Sequence, residues 1–258
     1  MLRTATDVLL LATLPVCAFF VLGGAENEVD IWRVVSVKGV LLVAAAWIAL
    51  SVARVFWGIP GVGLSWLGFG LGLLATGCAE LTYSFDPLVR GIELPFPSMA
   101  DAWFLLGYIL LIASLAGFVS AYNMAYSIVS PRTLKLTAAI VMAVLVALGL
   151  LVISPALARP DPLMERVLVS TYVLLDVGLL VPLLLLTRAI YKFRGGVVAR
   201  AWTFLLLGFV AMEIGDVAYS FEPVFQAFPY PYFDELFFVL SYLLLLKGVS
   251  LHKRIVTD

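Results

Sequence analysis

The chain has 258 residues, 63% of them hydrophobic and 13% charged, with a formal net charge of −1 and a mean hydropathy of +1.09. A soluble domain carries about a quarter of its residues as charges, so the composition excludes one, and apolar runs near the length of a bilayer select an all-α membrane protein over an outer-membrane barrel. No basic patch fits nucleic acid, and a single histidine, His252, beyond the last apolar run excludes bis-His haem, HExxH zinc and Ser-His-Asp chemistry within the membrane, so no metal or cofactor is expected.

Residues 8–22 form a short apolar run after Arg3. The small residues Gly23, Gly24 and Ala25 before Glu26 also fit a secretory cleavage site, although the internal repeat described below argues that the run is kept. The next runs cover 33–57, with Lys38 near one end and Arg54 at the other, then 66–85 and 99–121. After Ser130-Pro131-Arg132 come 134–153, 164–190, 200–221 and 234–251, separated by Gly- and Pro-bearing connections such as Gly58 to Ser65 and Gly195-Gly196. Eight transmembrane helices are expected. Cys17 and Cys78 fall inside apolar runs without CxxC spacing and read as small hydrophobes.

With the N-terminus inside, the cytoplasmic segments hold eleven basic residues: Arg3, Arg54, Arg132, Lys135, Arg188, Lys192, Arg194, Arg200, Lys247, Lys253 and Arg254. The outer side receives five, Arg33, Lys38, Arg90, Arg159 and Arg166, together with acids such as Glu26, Glu28, Asp30, Glu93, Asp161 and Glu222. This is the positive-inside pattern for two cytoplasmic termini.

Two stretches repeat. Trp66 to Pro87 recurs at Trp202 to Pro223 with eight identities in 22 positions, and Pro95 to Leu111 recurs at Pro229 to Leu245 with seven identities, at offsets of 136 and 134. The chain therefore divides into a first four-helix unit, 1–125, and a second, 126–258. An even number of helices per unit leaves both in the same orientation, related by an axis along the membrane normal, and a cleft between them is the natural place for a site.

The repeated stretches carry the chemistry. Glu80, Tyr83 and Ser84 share one helix face at i, i+3, i+4, as do Asp216, Tyr219 and Ser220, with Glu213 one turn earlier. Asp176 lies nearer the membrane centre. Charges at such depth cost about 2.5–3.5 kcal/mol each, so these carboxyls should face the bundle interior. Two readings stay open: an outward-facing polar cavity lined by Glu80, Asp216, Glu213 and Asp176 with Lys38 as counter-charge, or acids that hold the bundle together by bonding Tyr hydroxyls, backbone or Lys38. Glu213 and Asp176 have no acidic mates in the first unit, and that asymmetry favours a functional role.

Ser98 followed by Asp101 matches a capping box at the start of the fourth helix. In the second copy Tyr232 replaces the serine, so Asp234 or Glu235 must cap differently. Tyr108 and Tyr242, seven residues after Asp101 and Glu235, point toward the same interior. Aromatics including Phe85, Phe96, Trp103, Phe225, Phe228, Tyr230 and Phe238 crowd the outer rim, as an interfacial belt or as the mouth of a site for an apolar or cationic ligand. The inner cluster Arg188, Lys192, Arg194 and Arg200 marks topology and could touch anionic lipid or a cytosolic partner.

The segment PSMADAWFLLGYILL, preceded by a helix ending in an acid and Tyr, resembles the multi-helix membrane input region that precedes diguanylate cyclase (GGDEF) and histidine-kinase output modules in bacteria. That resemblance covers the repeated blocks and implies a sensor in a prokaryotic cell membrane. No output module follows Asp258, so it also implies a separate cytosolic or membrane signalling partner. Lys38-Gly39 and Gly215-Asp216 are similar to elements of the lysoplasmalogenase-like membrane hydrolases, which also have eight helices and act through membrane aspartates, but Gly107-Tyr108 stand where those enzymes carry a histidine. The expected function is a sensor or binding protein whose outer acidic-aromatic cleft takes a small or lipid-derived ligand. An intramembrane lipid hydrolase, a small-solute or cation transporter and a purely structural subunit are the alternatives.

Overall fold

The computed structural model describes residues 5–24, 36–90, 95–220 and 233–257. All regular structure among them is helical. The helices are α1 (Ala5–Phe19, with a π-helical turn Phe20–Gly24), α2 (Val37–Val55), α3 (Val62–Arg90), α4 (Met99–Tyr126), α5 (Pro131–Ala158), α6 (Leu163–Lys192), α7 (Val197–Ser220) and α8 (Phe233–Thr257). Seven of them, α2 to α8, are long and apolar enough to cross a membrane. Eight spans are expected from the sequence. The eighth expected run corresponds to α1, whose apolar stretch Thr6–Leu22 is shorter than the other seven.

Local chemistry sets the boundaries. Gly61 and Gly195 take φ of +78° and +86° in the α2–α3 and α6–α7 turns, a region that side chains rarely occupy. The expected capping box is present: the Ser98 hydroxyl accepts from the Ala100 N–H, and Asp101 Oδ2 accepts from the Ser98 N–H at 2.6 Å. At α5 the Ser130 hydroxyl accepts from the Thr133 N–H, with Pro131 in the first turn. Near its far end α5 passes through a π-helical turn, Gly149–Ile153, just before Pro155, whose ring supplies no N–H for the regular ladder.

Three antiparallel neighbours pack most closely: α2 with α3, α3 with α4, and α7 with α8. Small residues allow the approach, as is usual where lipid supplies no hydrophobic drive between helices. A Cβ at Gly107 would stand 2.5 Å from Thr76 Oγ1 and 3.3 Å from the Gly72 carbonyl; one at Gly248 would stand 2.6 Å from Leu205. The first and second parts of the chain meet where α2 lies on α8 and α4 lies on α6. Helix α1 leans on α8, and Lys247 reaches Asp7 at 2.5 Å. Helix α5 touches chiefly α6, and only 11% of its span is buried.

At the end of the bundle that carries most basic residues, Trp66, Phe69, Phe118, Trp202 and Phe209 form a buried aromatic core. The Trp66 and Trp202 rings are 6.3 Å apart with planes at 41°. His252 belongs to this core. The sequence places it outside the last apolar run, but α8 continues to Thr257 and turns His252 inward, 4.6 Å from the Trp66 ring. Phe85, Phe96 and Trp103 are exposed, as a rim belt requires. Cys17 and Cys78 are free thiols. The outer acids Glu26, Glu28, Asp30, Glu93 and Glu222, the rim aromatics Phe225, Phe228, Tyr230 and Tyr232, and the cleavage-like site at Ala25 lie outside the described residues.

Candidate functional site

Two polar clusters lie near the end of the bundle opposite the aromatic core; Lys38, Glu80, Glu235 and Asp176 in them are buried, whereas Asp216 and Glu213 are half-buried. The first is built on Lys38, in the first turn of α2 and 2% exposed. Its Nζ is 3.0 Å from Glu80 Oε2 on α3 and 2.5 Å from Glu235 Oε2 on α8. Glu235, Phe238 and Tyr242 share one face of α8 at i, i+3, i+7. The Tyr242 hydroxyl donates to Glu80 Oε1 at 2.6 Å, and the Phe238 ring lies 5.2 Å from Lys38 Nζ. One ammonium thus meets two carboxylates, and its remaining surface faces an aromatic ring.

The second cluster is built on Tyr108 of α4. Its hydroxyl donates to Asp176 Oδ1 of α6 at 2.5 Å and lies 3.1 Å from Asp216 Oδ2 of α7. Glu213, one turn before Asp216, has an Oε1 shielded from solvent that finds no hydrogen-bond partner. One turn before Asp176, the Tyr172 hydroxyl donates to Asp101 Oδ1 at 2.8 Å, so Asp101 serves the capping box through one oxygen and α6 through the other. Among the described residues, no Lys or Arg forms an ion pair with Asp176, Asp216 or Glu213.

The tyrosine bonds cross the molecule. Tyr242 of the second part reaches Glu80 of the first, and Tyr108 of the first part reaches Asp216 of the second. Likewise Lys38 of the first part holds Glu235 of the second, while Tyr172 of the second holds Asp101 of the first. The two clusters therefore occupy the α2–α8 and α4–α6 seams.

Of the residues singled out in the sequence, Lys38, Glu80 and Tyr242 come together in one cluster and Tyr108, Asp176 and Asp216, with Glu213 a turn away, in the other. Lys38 is counter-charge to Glu80 but pairs with none of Asp176, Asp216 and Glu213. Tyr83 is half-buried, and Tyr219 is 50% exposed. Ser84 is buried without a partner for its hydroxyl, and the side chain of Ser220 is not among those described. Phe238 belongs to the Lys38 cluster instead of the rim. Sequence reasoning missed Glu235 and Tyr172 as network members. A signal existed for both: the offset of 134 that relates Asp101 to Glu235, applied to Lys38, lands on Tyr172.

Three uncompensated carboxyls at membrane depth require positive charge from elsewhere, either protons or a cationic ligand. Among the described residues no group of three acids, histidines or cysteines converges closely enough to hold a metal ion. Comparison with known protein families, curated proteins and solved structures finds no match for this chain.

Proposed function

We propose that the protein is a membrane-embedded sensor of small cationic ligands, in which Asp176, Asp216 and Glu213 take the positive charge and Tyr108 passes the event to α4. The uncompensated acids around the Tyr108 hydroxyl carry this reading. The Lys38 cluster has its own cation and acts as the fixed counterpart. Binding of an ammonium group at Asp216 competes with the Tyr108 bond, and Tyr108 and Tyr172 offer ring faces that favour such a group. Because Tyr108 sits on one side of the α4–α6 seam and both carboxyls it meets on the other, that competition shifts one part of the chain against the other.

The architecture belonging to this reading is a doubled four-helix unit with eight spans and both termini cytoplasmic, set in a prokaryotic cell membrane. The repeated sequence blocks, the crossed Tyr–acid bonds and the positive-inside charge distribution support it. A separate signalling protein would read the motion.

The test uses full-length protein in phosphatidylcholine nanodiscs, with tetramethylammonium chloride compared with sodium chloride at equal ionic strength. Thermal unfolding should shift upward with tetramethylammonium in the wild type and not in Asp176→Asn/Asp216→Asn. An equal shift in the double variant removes these acids from the site. Accumulation of the probe in proteoliposomes makes the protein a transporter, and turnover of a lysophospholipid makes it a hydrolase.

A further inference from the structure

Away from the acids, at the basic end, an open groove lies in the seam between α5 and α6. Two adjoining cavities of about 310 and 570 Å³ share Thr133, Leu136, Arg188 and Tyr191. The larger is rimmed by Arg132 and Lys192 as well as Arg188, with the Ser130 and Tyr191 side chains beside them. The smaller runs on toward the membrane interior, between Ile140 of α5 and Leu184 of α6.

The cations of this groove meet no carboxylate among the described residues. Lys192 donates to the carbonyls of Tyr126 and Ser127 that end α4. The first turn of α5 opens into the same space and adds the positive end of its dipole. A free anion would be served by the basic rim alone. The limb along Leu136, Ile140 and Leu184 suits a ligand with a hydrocarbon tail, and α5, of whose apolar span only 11% is buried, flanks it.

We propose that the α5–α6 groove is a binding site for one anionic phospholipid, with its phosphate between Arg132 and Arg188 and an acyl chain along Leu136, Ile140 and Leu184. Basic pockets between membrane helices commonly recognise such headgroups. The proposal is independent of the acidic cluster and of the sensor reading.

Native mass spectrometry of the full chain, released from micelles containing equal dioleoylphosphatidylglycerol and dioleoylphosphatidylcholine, tests it. One phosphatidylglycerol adduct should be retained about tenfold or more in preference to phosphatidylcholine. Arg132→Gln/Arg188→Gln should abolish that preference, and Arg200→Gln/Arg254→Gln, at the same end but outside the groove, should keep it. Ile140→Trp leaves every cation in place and fills the apolar limb, so it should weaken retention by itself, and it decides the matter if the arginine variant does not fold. Equal retention of the two lipids, an undiminished adduct in either groove variant, or complete displacement by sodium phosphate overturns the proposal.

Discussion

Lys38 is the residue on which most stability turns. Its removal leaves Glu80 and Glu235 buried without their counter-charge, so Lys38→Met should lower the unfolding free energy by about 3–5 kcal/mol, measured by equilibrium unfolding in mixed micelles. Because the penalty comes from stranded charge and not from lost packing, Lys38→Met/Glu80→Met/Glu235→Met should recover most of it. A triple variant as unstable as the single one would show that the ion pairs are not what holds the seam. Tyr242→Phe deletes one hydrogen bond to a charged acceptor and should cost about 1.5–3 kcal/mol. The acids of these clusters were legible, since an acid inside an apolar run demands a partner. Their partners were not: Tyr242 and Glu80 are 162 positions apart, and no local periodicity reports such a bond. Glu235, in the first turn of a helix, reads as a cap; the repeat offset matches it to Asp101, and tertiary packing turns it to Lys38.

At the level of the helix, glycines decide how closely neighbours approach. Gly107→Leu would force a side chain against Thr76 and the Gly72 backbone, so α3 and α4 must separate, at a cost of about 1–3 kcal/mol or more. Gly149 in α5 has nothing within 4 Å of its notional Cβ, and Gly149→Ala should be neutral or stabilising by up to about 1 kcal/mol. Thermal unfolding of both variants in the same detergent checks the contrast. Elements were the most readable part of the sequence, because apolar length and capping chemistry act locally; Ser98 and Asp101 announced the start of α4 without help from the fold. The far end of α8 was misread because His252, Lys253 and Arg254 look like a solvated tail, whereas the helix continues and turns the imidazole into the aromatic core.

For the whole molecule, the proposed topology sets Arg254 on the cytoplasmic side and Arg159 on the outer side, and both are exposed. In a background with Cys17 and Cys78 replaced by Ser, a membrane-impermeant maleimide added to intact cells should label Arg159→Cys and spare Arg254→Cys until the cells are opened. Labelling of both in intact cells would refute the arrangement. The order of the helices was visible in the chain. Their pairing was not, because α2 could have closed against several neighbours of equal hydrophobicity, and the choice of α8 rests on Lys38 finding Glu235. The meeting of Trp66 and Trp202, from α3 and α7, has a practical consequence. Two indoles at 6.3 Å with crossed planes couple their electronic transitions, so near-ultraviolet circular dichroism offers a label-free optical gauge of how the two parts of the chain are seated, readable while a ligand is titrated.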